Sequence, residues 1–344
     1  MKTKVGIVGA TGYTGSELVR ILVRHPEVEI VTITSESRAG EKFSDVHPFF
    51  RNIFEMELEP VSSLENQQPE IVFLALPHGI SMEYVKRFEN SNFRIIDFSG
   101  DFRLDSPEVY ESWYKKDHSF AGGFKNAVYG LPELFRAEIE NATLVANPGC
   151  FPTGAILGIT PLLSENKVSI KPLIVDSKTG VTGSGVKAKN VTHFPNVSDN
   201  FKPYGMKTHR HTIEIQQILD QVCGTSTTVQ FTPHLLPVDR GIISTIYLQP
   251  TGEINEDEIA EIYRSFYQEA PFVRICPSPP SLKDVRGTNY CDIYHTFDER
   301  TGLIMVVTAI DNLVKGAAGQ AVQNMNIMLG LDQSTGLHQV PLNP

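Results

Sequence analysis

Apolar and polar positions follow two alternating rhythms through the N-terminal part of the chain. Residues 4–9 make a short apolar run, and residues 13–25 set Leu18, Val19, Leu22 and Val23 at helical spacing until Pro26 stops the pattern. Strand then helix is the first half of a βαβ unit. Residues 29–34 read as the second strand, and residues 71–76, 93–98 and 142–146 as further buried strands. This alternation predicts an α/β fold with a Rossmann-type, doubly wound parallel sheet.

After Asn147 the rhythm changes. Residues 173–176, 229–232, 242–248 and 303–310 are β-rich, while 213–222 and 256–267 carry helical spacing. Long strands with few helices predict an α+β domain with a mixed or antiparallel sheet. A last helical pattern covers residues 313–329 and is closed by Gly330; Gly316, Ala317, Ala318 and Gly319 suit close backbone approach on a return to the first domain. The expected division is a first domain of residues 1–148 and 312–344, and a second of 149–311. No internal repeat interrupts it, and Pro277-Ser278-Pro279-Pro280 reads as a rigid loop.

The length of 344 residues suits two domains, and 41% hydrophobic residues supply a core for each. Forty acidic against thirty basic residues give a net charge of -10, which repels phosphate backbones and anionic lipid. Nucleic-acid and membrane partners are therefore not expected. No apolar run approaches the roughly 20 residues that cross a bilayer, and a strand pattern stands where a cleavable leader would, so the expectation is a cytoplasmic protein.

The four cysteines are far apart and form no C-x-x-C pair, which suggests neither a zinc site nor a disulfide framework. No metal is expected. Cys223, Cys276 and Cys291 have bland surroundings and read as core thiols. Cys150 differs: Asn147-Pro148-Gly149-Cys150-Phe151-Pro152-Thr153 follows a strand and opens a helix bearing Ile156, Leu157, Ile159 and Leu162. A helix start favours the thiolate, the nucleophilic form, and Pro152 fits the first turn. The plain alternative is a buried cysteine in a tight turn.

Gly9-Ala10-Thr11-Gly12-Tyr13-Thr14-Gly15 lies between the first strand and the first helix, where a pyrophosphate meets backbone N–H groups and the positive helix end. The spacing is G-x-x-G-x-x-G. At the end of the second strand, where an NAD enzyme usually carries a carboxylate for the ribose 2′-OH, the chain reads Thr34-Ser35-Glu36-Ser37-Arg38. The hydroxyls of Ser35 and Ser37 and the Arg38 guanidinium suit a 2′-phosphate, favouring NADP(H), with Glu36 the contrary signal.

His211 and Glu214 open a further helical pattern and share a face, where the carboxylate can orient the imidazole or hold a substrate group. A solvated basic helix start is the bland reading. Ser99-Gly100-Asp101-Phe102-Arg103 lies just past a buried strand, where open α/β sheets bind ligands. Ser99 is a candidate for cofactor contact and Arg103 for an anionic substrate group; the alternative is a surface Asp101/Arg103 pair.

Taken with Tyr129-Gly130-Leu131-Pro132-Glu133 and the run from Asp311 to Ala321, these motifs, in this order, resemble the N-acetyl-γ-glutamyl-phosphate reductases of arginine biosynthesis, within the semialdehyde dehydrogenase group. The resemblance covers nearly the whole chain. It implies NADPH-dependent reduction of an acyl phosphate to a semialdehyde with release of phosphate. It further implies Cys150 as the acylated nucleophile, His211 as general acid/base, Glu214 and Arg103 at the substrate, Asn312 near the nicotinamide, and a homo-oligomer, dimer or tetramer. The Ser177–Gly185 stretch, Gly183 included, looks like the family's glycine-rich segment beside the cofactor, although Val186 and Lys187 stand where the family commonly has arginine. Aspartate-semialdehyde dehydrogenases and aminoadipyl-phosphate reductases use the same logic, but the former usually place the nucleophile directly after asparagine. A non-catalytic NADP-sensing regulator is the rival from another class.

Overall fold

Glycine-flanked apolar strands and short helices build the first unit of the computed structural model, which describes residues 2–343. In chain order they are β1 (Thr3–Val8), α1 (Tyr13–Leu22), β2 (Val28–Thr34), α2 (Phe43–Val46), α3 (Leu64–Gln67), β3 (Ile71–Leu74), α4 (Ser81–Arg87), β4 (Arg94–Asp97), α5 (Pro107–Tyr114), β5 (Ala127–Tyr129), α6 (Pro132–Glu140) and β6 (Leu144–Ala146). The six strands form one sheet in the order β2-β1-β3-β4-β6-β5, with every pairing parallel. All four side chains of β3 are fully buried, as expected for a parallel strand covered on both faces.

The second unit opens with α7 (Cys150–Ser164) and continues with β7 (Leu173–Thr179), α8 (Phe194–Val197), β8 (Lys202–Pro203), α9 (His211–Cys223), β9 (Val229–Leu235), β10 (Ile242–Leu248), α10 (Glu256–Phe266), β11 (Val273–Ile275), β12 (Cys291–Asp298) and β13 (Leu303–Ile310). Its seven strands run β11-β12-β13-β10-β7-β9-β8 in a mixed sheet. The pairs from β12 to β7 are antiparallel, whereas β11 with β12 and β7 with β9 are parallel. The doubly wound and mixed sheets expected from the sequence are thus both present. Strand β12 and the three-residue strands β5 and β11 had no clear period of their own.

Every residue of α7 from Phe151 to Leu163 is buried. Pro161 lies inside this helix and has no N–H for the carbonyl of Leu157. The Tyr267 hydroxyl donates to that carbonyl at 2.5 Å, and the Tyr263 hydroxyl donates to Gly158 O at 2.5 Å. Two phenols thus secure the backbone that the proline opens.

The chain returns through a wide π turn, Val314–Ala318, into α11 (Gly319–Met328), which ends at Gly330 in the left-handed region at φ +68°. The compact units comprise Met1–Pro148 with Ala317–His338, and Gly149–Gly316 with Gln339–Pro344. Residues 312–316 and 339–344 thus belong to the second unit, where the sequence pattern had put all of 312–344 with the first; the helical period runs through Gly316 and carries no mark of the division. Within the first unit, the side-chain amides of Gln320 and Asn324 on α11 both donate to Gly130 O at 2.8 Å. The Tyr129–Glu133 motif therefore anchors α11.

All four cysteines are thiols: Cys291 is buried, whereas Cys223 and Cys276 are half-buried, more open than core thiols. Among the described residues no helix is long and apolar enough to cross a membrane, and no His, Cys, Asp and Glu group could hold a metal ion.

Candidate active site

The loop after β1 turns sharply because Gly9 sits at φ +83°, where a Cβ would stand 2.5 Å from Ala75 O. The N–H groups of Gly9 and Ala10 both donate to Thr34 O, at 3.1 and 3.2 Å, tying the loop to the end of β2. Thr11, Gly12, Tyr13, Thr14 and Gly15 then carry the chain into α1. A Cβ on Gly12 would meet nothing within 4 Å, so the loop borders open space at the helix start. Beside it, the Thr34 hydroxyl and His47 Nε2 are buried without a hydrogen-bond partner. The His47 pKa is held down by burial, against the pull of the nearby Ala10 and Thr11 carbonyls. Open space at a helix N-terminus, lined by unused polar atoms, fits a phosphate- and hydroxyl-bearing dinucleotide.

Beyond β2, Ser35 is buried while Ser37 and Arg38 are exposed, with Arg38 Nη1 3.0 Å from Glu41. Glu36 turns away: its Oε1 accepts the Val61 N–H at 3.0 Å. The carboxylate that argued for a ribose 2′-OH partner is engaged by backbone.

At the end of β4, the Ser99 hydroxyl donates to Asp97 at 2.6 Å and accepts the Asp101 N–H. Asp97 is raised to about 6, first by burial and then by the charge of Asp101. The Asp101 carboxylate accepts the N–H groups of Gly79 and Met82 and the Tyr110 hydroxyl. Arg103 is buried, and its Nε and Nη2 donate to Asn147 O and Phe98 O, each at 2.7 Å. The exposed Asp101/Arg103 pair is therefore replaced by two buried groups that organise backbone. Asn147 also donates its N–H to Asp97 O and its side-chain amide to Ala317 O, and accepts from Asn324.

In the second unit, Cys150 is the first residue of α7, behind an extended Gly149 at φ -66° and ψ 150°. Pro152 has no N–H, and that of Thr153 closes on Gly149 O at 3.1 Å, so the amides of Cys150 and Phe151 lead the helix. A Cβ on Gly316 would stand 2.8 Å from Cys150 Cβ, which places the Gly316 backbone against Cys150.

A Cβ on Gly149 would stand 2.6 Å from His211 Nε2. His211 begins α9, and the fully buried Glu214 on the same helix accepts the Gly149 N–H at 2.7 Å. The rings of His209 and Phe151 lie 4.8 and 5.8 Å from that of His211. His209 Nδ1 accepts the His211 N–H, and burial, helped by Arg210, lowers its pKa to about 4. His209 is thus held neutral beside His211. Tyr204 packs 5.5 Å from His209, with its hydroxyl pKa pushed up by burial and then by the charge of Cys150.

The sequence reading missed Tyr204 and His209. A signal was present in the turn formers Pro203 and Gly205 ahead of the histidines, with Gly205 at φ +56°. Asn312 accepts the Gly241 N–H at 2.7 Å and donates to the Thr182 hydroxyl at 3.0 Å, holding the 3-10 turn that contains Gly183.

Residues 4–142 match the model of the semialdehyde dehydrogenase NAD binding domain, and residues 150–312 that of the semialdehyde dehydrogenase dimerisation domain. The chain is 48% identical to the N-acetyl-γ-glutamyl-phosphate reductase of Pelotomaculum thermopropionicum over 100% of both chains, and 47% identical to that of Desulforamulus reducens over 99% of both. The chain belongs to the N-acetyl-γ-glutamyl-phosphate reductase family of semialdehyde dehydrogenases. Members of the semialdehyde dehydrogenase family are oxidoreductases, and this chain is one; its first unit is of the nicotinamide-dinucleotide-binding kind. The fold agrees. Aspartate semialdehyde dehydrogenase II of Vibrio cholerae, complexed with ASA, superposes with a TM-score of 0.74 at 17% identity, covering 96% of this chain and 99% of its own. The NADP-bound Candida albicans aspartate semialdehyde dehydrogenase gives 0.71 at 17% identity, with the same coverage.

Proposed function

We propose that this protein reduces N-acetyl-γ-glutamyl phosphate to N-acetylglutamate 5-semialdehyde with release of phosphate, through a thioester on Cys150, as a step in arginine biosynthesis. The observation that carries the reading is Cys150 at the head of α7, with the His211 imidazole against the preceding residue, in a chain nearly half identical to reductases of that name.

The helix start favours the Cys150 thiolate. Its sulfur attacks the acyl carbon; the S–C bond forms, the C–O bond to phosphate breaks, and phosphate leaves with the electron pair. When bound, NADPH supplies the hydride that reduces the thioester. His211 gives a proton to the oxygen of the hydride adduct and takes it back as the C–S bond breaks, returning the thiolate and releasing the aldehyde.

Gly9 to Gly15 would hold the pyrophosphate, and Ser35, Ser37 and Arg38 the 2′-phosphate. The engaged Glu36 and exposed Arg38 support NADP over NAD. Assembly as a homo-oligomer is part of the same reading. The second unit matches a dimerisation domain, and Ile174, Ile243, Tyr247 and Val307 are half-buried or exposed on its sheet.

The test is phosphate-dependent reduction of NADP by N-acetylglutamate 5-semialdehyde, run beside NAD and aspartate semialdehyde. Strong turnover with the acetylated substrate and NADP is expected, and Cys150→Ser should bind NADP yet lose turnover. A Ser variant that turns over like the parent sinks the covalent step, and a preference for aspartate semialdehyde sinks the substrate.

A further inference from the structure

Three residues converge on Gly149, the residue before the proposed nucleophile. Its N–H donates to Glu214 Oε1 at 2.7 Å. Its carbonyl accepts both the N–H and the hydroxyl of Thr153, each at 3.1 Å. The His211 ring covers its α-carbon. His211 and Glu214 lie three residues apart on α9 and so share one face, which puts both groups that bear on Gly149 in a single rigid element.

We propose that Glu214 is a positioning residue for the nucleophile, acting through the Gly149 amide to hold the start of α7 in register with His211. This rests on the reading of Cys150 as the acylated thiol. Glu214 is 0% exposed, and a carboxylate with no surface touches the nucleophile's own backbone in place of solvent or solute. Gly149 has no side chain with which to cap α7, so a carboxylate on another helix fixes the chain where it enters the helix. The bond is short, 2.7 Å from the Gly149 nitrogen to Glu214 Oε1. Its orientation passes through one peptide unit to the Cys150 Cα.

Positioning by a hydrogen bond needs an acceptor, whereas a substrate contact would need the charge. Glu214→Gln keeps an oxygen for the Gly149 N–H, and Glu214→Ala removes it. Both full-length variants should be assayed for kcat and KM with the semialdehyde, phosphate and NADP, with melting curves to confirm folding. Glu214→Ala should lower kcat by about 100-fold while KM for the semialdehyde stays within about threefold. Glu214→Gln should recover at least about a third of the parent kcat. Comparable losses in both variants, a raised KM as the main effect, or a fully active Ala variant each overturn the proposal. If the Ala variant does not fold, Glu214→Met, which fills the space and also lacks an acceptor, takes its place: a loss of kcat with KM held supports the role, and a fully active variant refutes it. Failure of the underlying reading shows separately, as parent turnover that survives alkylation of Cys150 by iodoacetamide.

Discussion

His211 lies over the α-carbon of Gly149 so closely that a Cβ there would stand 2.6 Å from its Nε2. The backbone of Gly149, at φ -66° and ψ 150°, is open to any residue, so glycine is required by the imidazole and not by the turn. Gly149→Ala should therefore fold and bind NADP normally while displacing the base, and turnover should fall by about 100-fold. Steady-state kinetics beside a cofactor titration check this; an unaffected kcat would move the acid/base role away from His211.

Arg103 ties the ends of β4 and β6 through the carbonyls of Phe98 and Asn147. Lysine offers one donor head in place of a fork and cannot keep both bonds. Arg103→Lys should lose about 1–3 kcal/mol of stability, read by urea unfolding. A variant of parent stability with a raised substrate KM would return Arg103 to the substrate.

Arg38 should matter only for the phosphorylated cofactor. Arg38→Ala is expected to weaken NADPH by about tenfold or more and NADH little, as measured by fluorescence titration. Equal losses for both would show that the guanidinium serves the fold.

Acid should destabilise the chain through its histidines. His209 falls from 6.5 to about 4, first through burial, and burial likewise lowers His25 and His118. The folded state then binds fewer protons than the unfolded one, and stability is lost as pH drops from 6.5 toward 4. Asp97 has the opposite sign: raised from 3.8 to about 6, it makes the folded state bind more protons, and stability falls as pH rises through that window. Melting curves across this range should flatten for His209→Asn and steepen on the acid side for Asp97→Asn. Parallel curves for parent and variants would contradict the assignment.

Tyr267→Phe should cost about 1–3 kcal/mol, because the buried Leu157 carbonyl loses the hydroxyl that replaces the N–H missing at Pro161. Chemical denaturation measures it directly.

Periodicity made both sheets readable because β1, β3, β10 and β13 are long or wholly apolar, and the motifs at Gly9 and Cys150 announced themselves by standing between a strand and a helix. Two sorts of information were hidden. The first is side-chain commitment: nothing local reveals that Glu36 bonds Val61, that Arg103 bonds Phe98 and Asn147, or that Glu214 bonds Gly149, since the partners are distant in sequence or a backbone group. The second is neutrality. His209 and His211 are one residue apart in the same basic run, and only burial among Phe151, Tyr204 and Phe231 shows that His209 is held neutral beside its neighbour.

Because α7 offers water no face between Phe151 and Leu163, its sulfur-bearing end is steered by the hydrophobic interior. A methylene removed or added at Ile156 or Ile159 should be felt at the thiol through the close-packed interior. Core residues of this unit therefore bear on turnover as well as on the melting point.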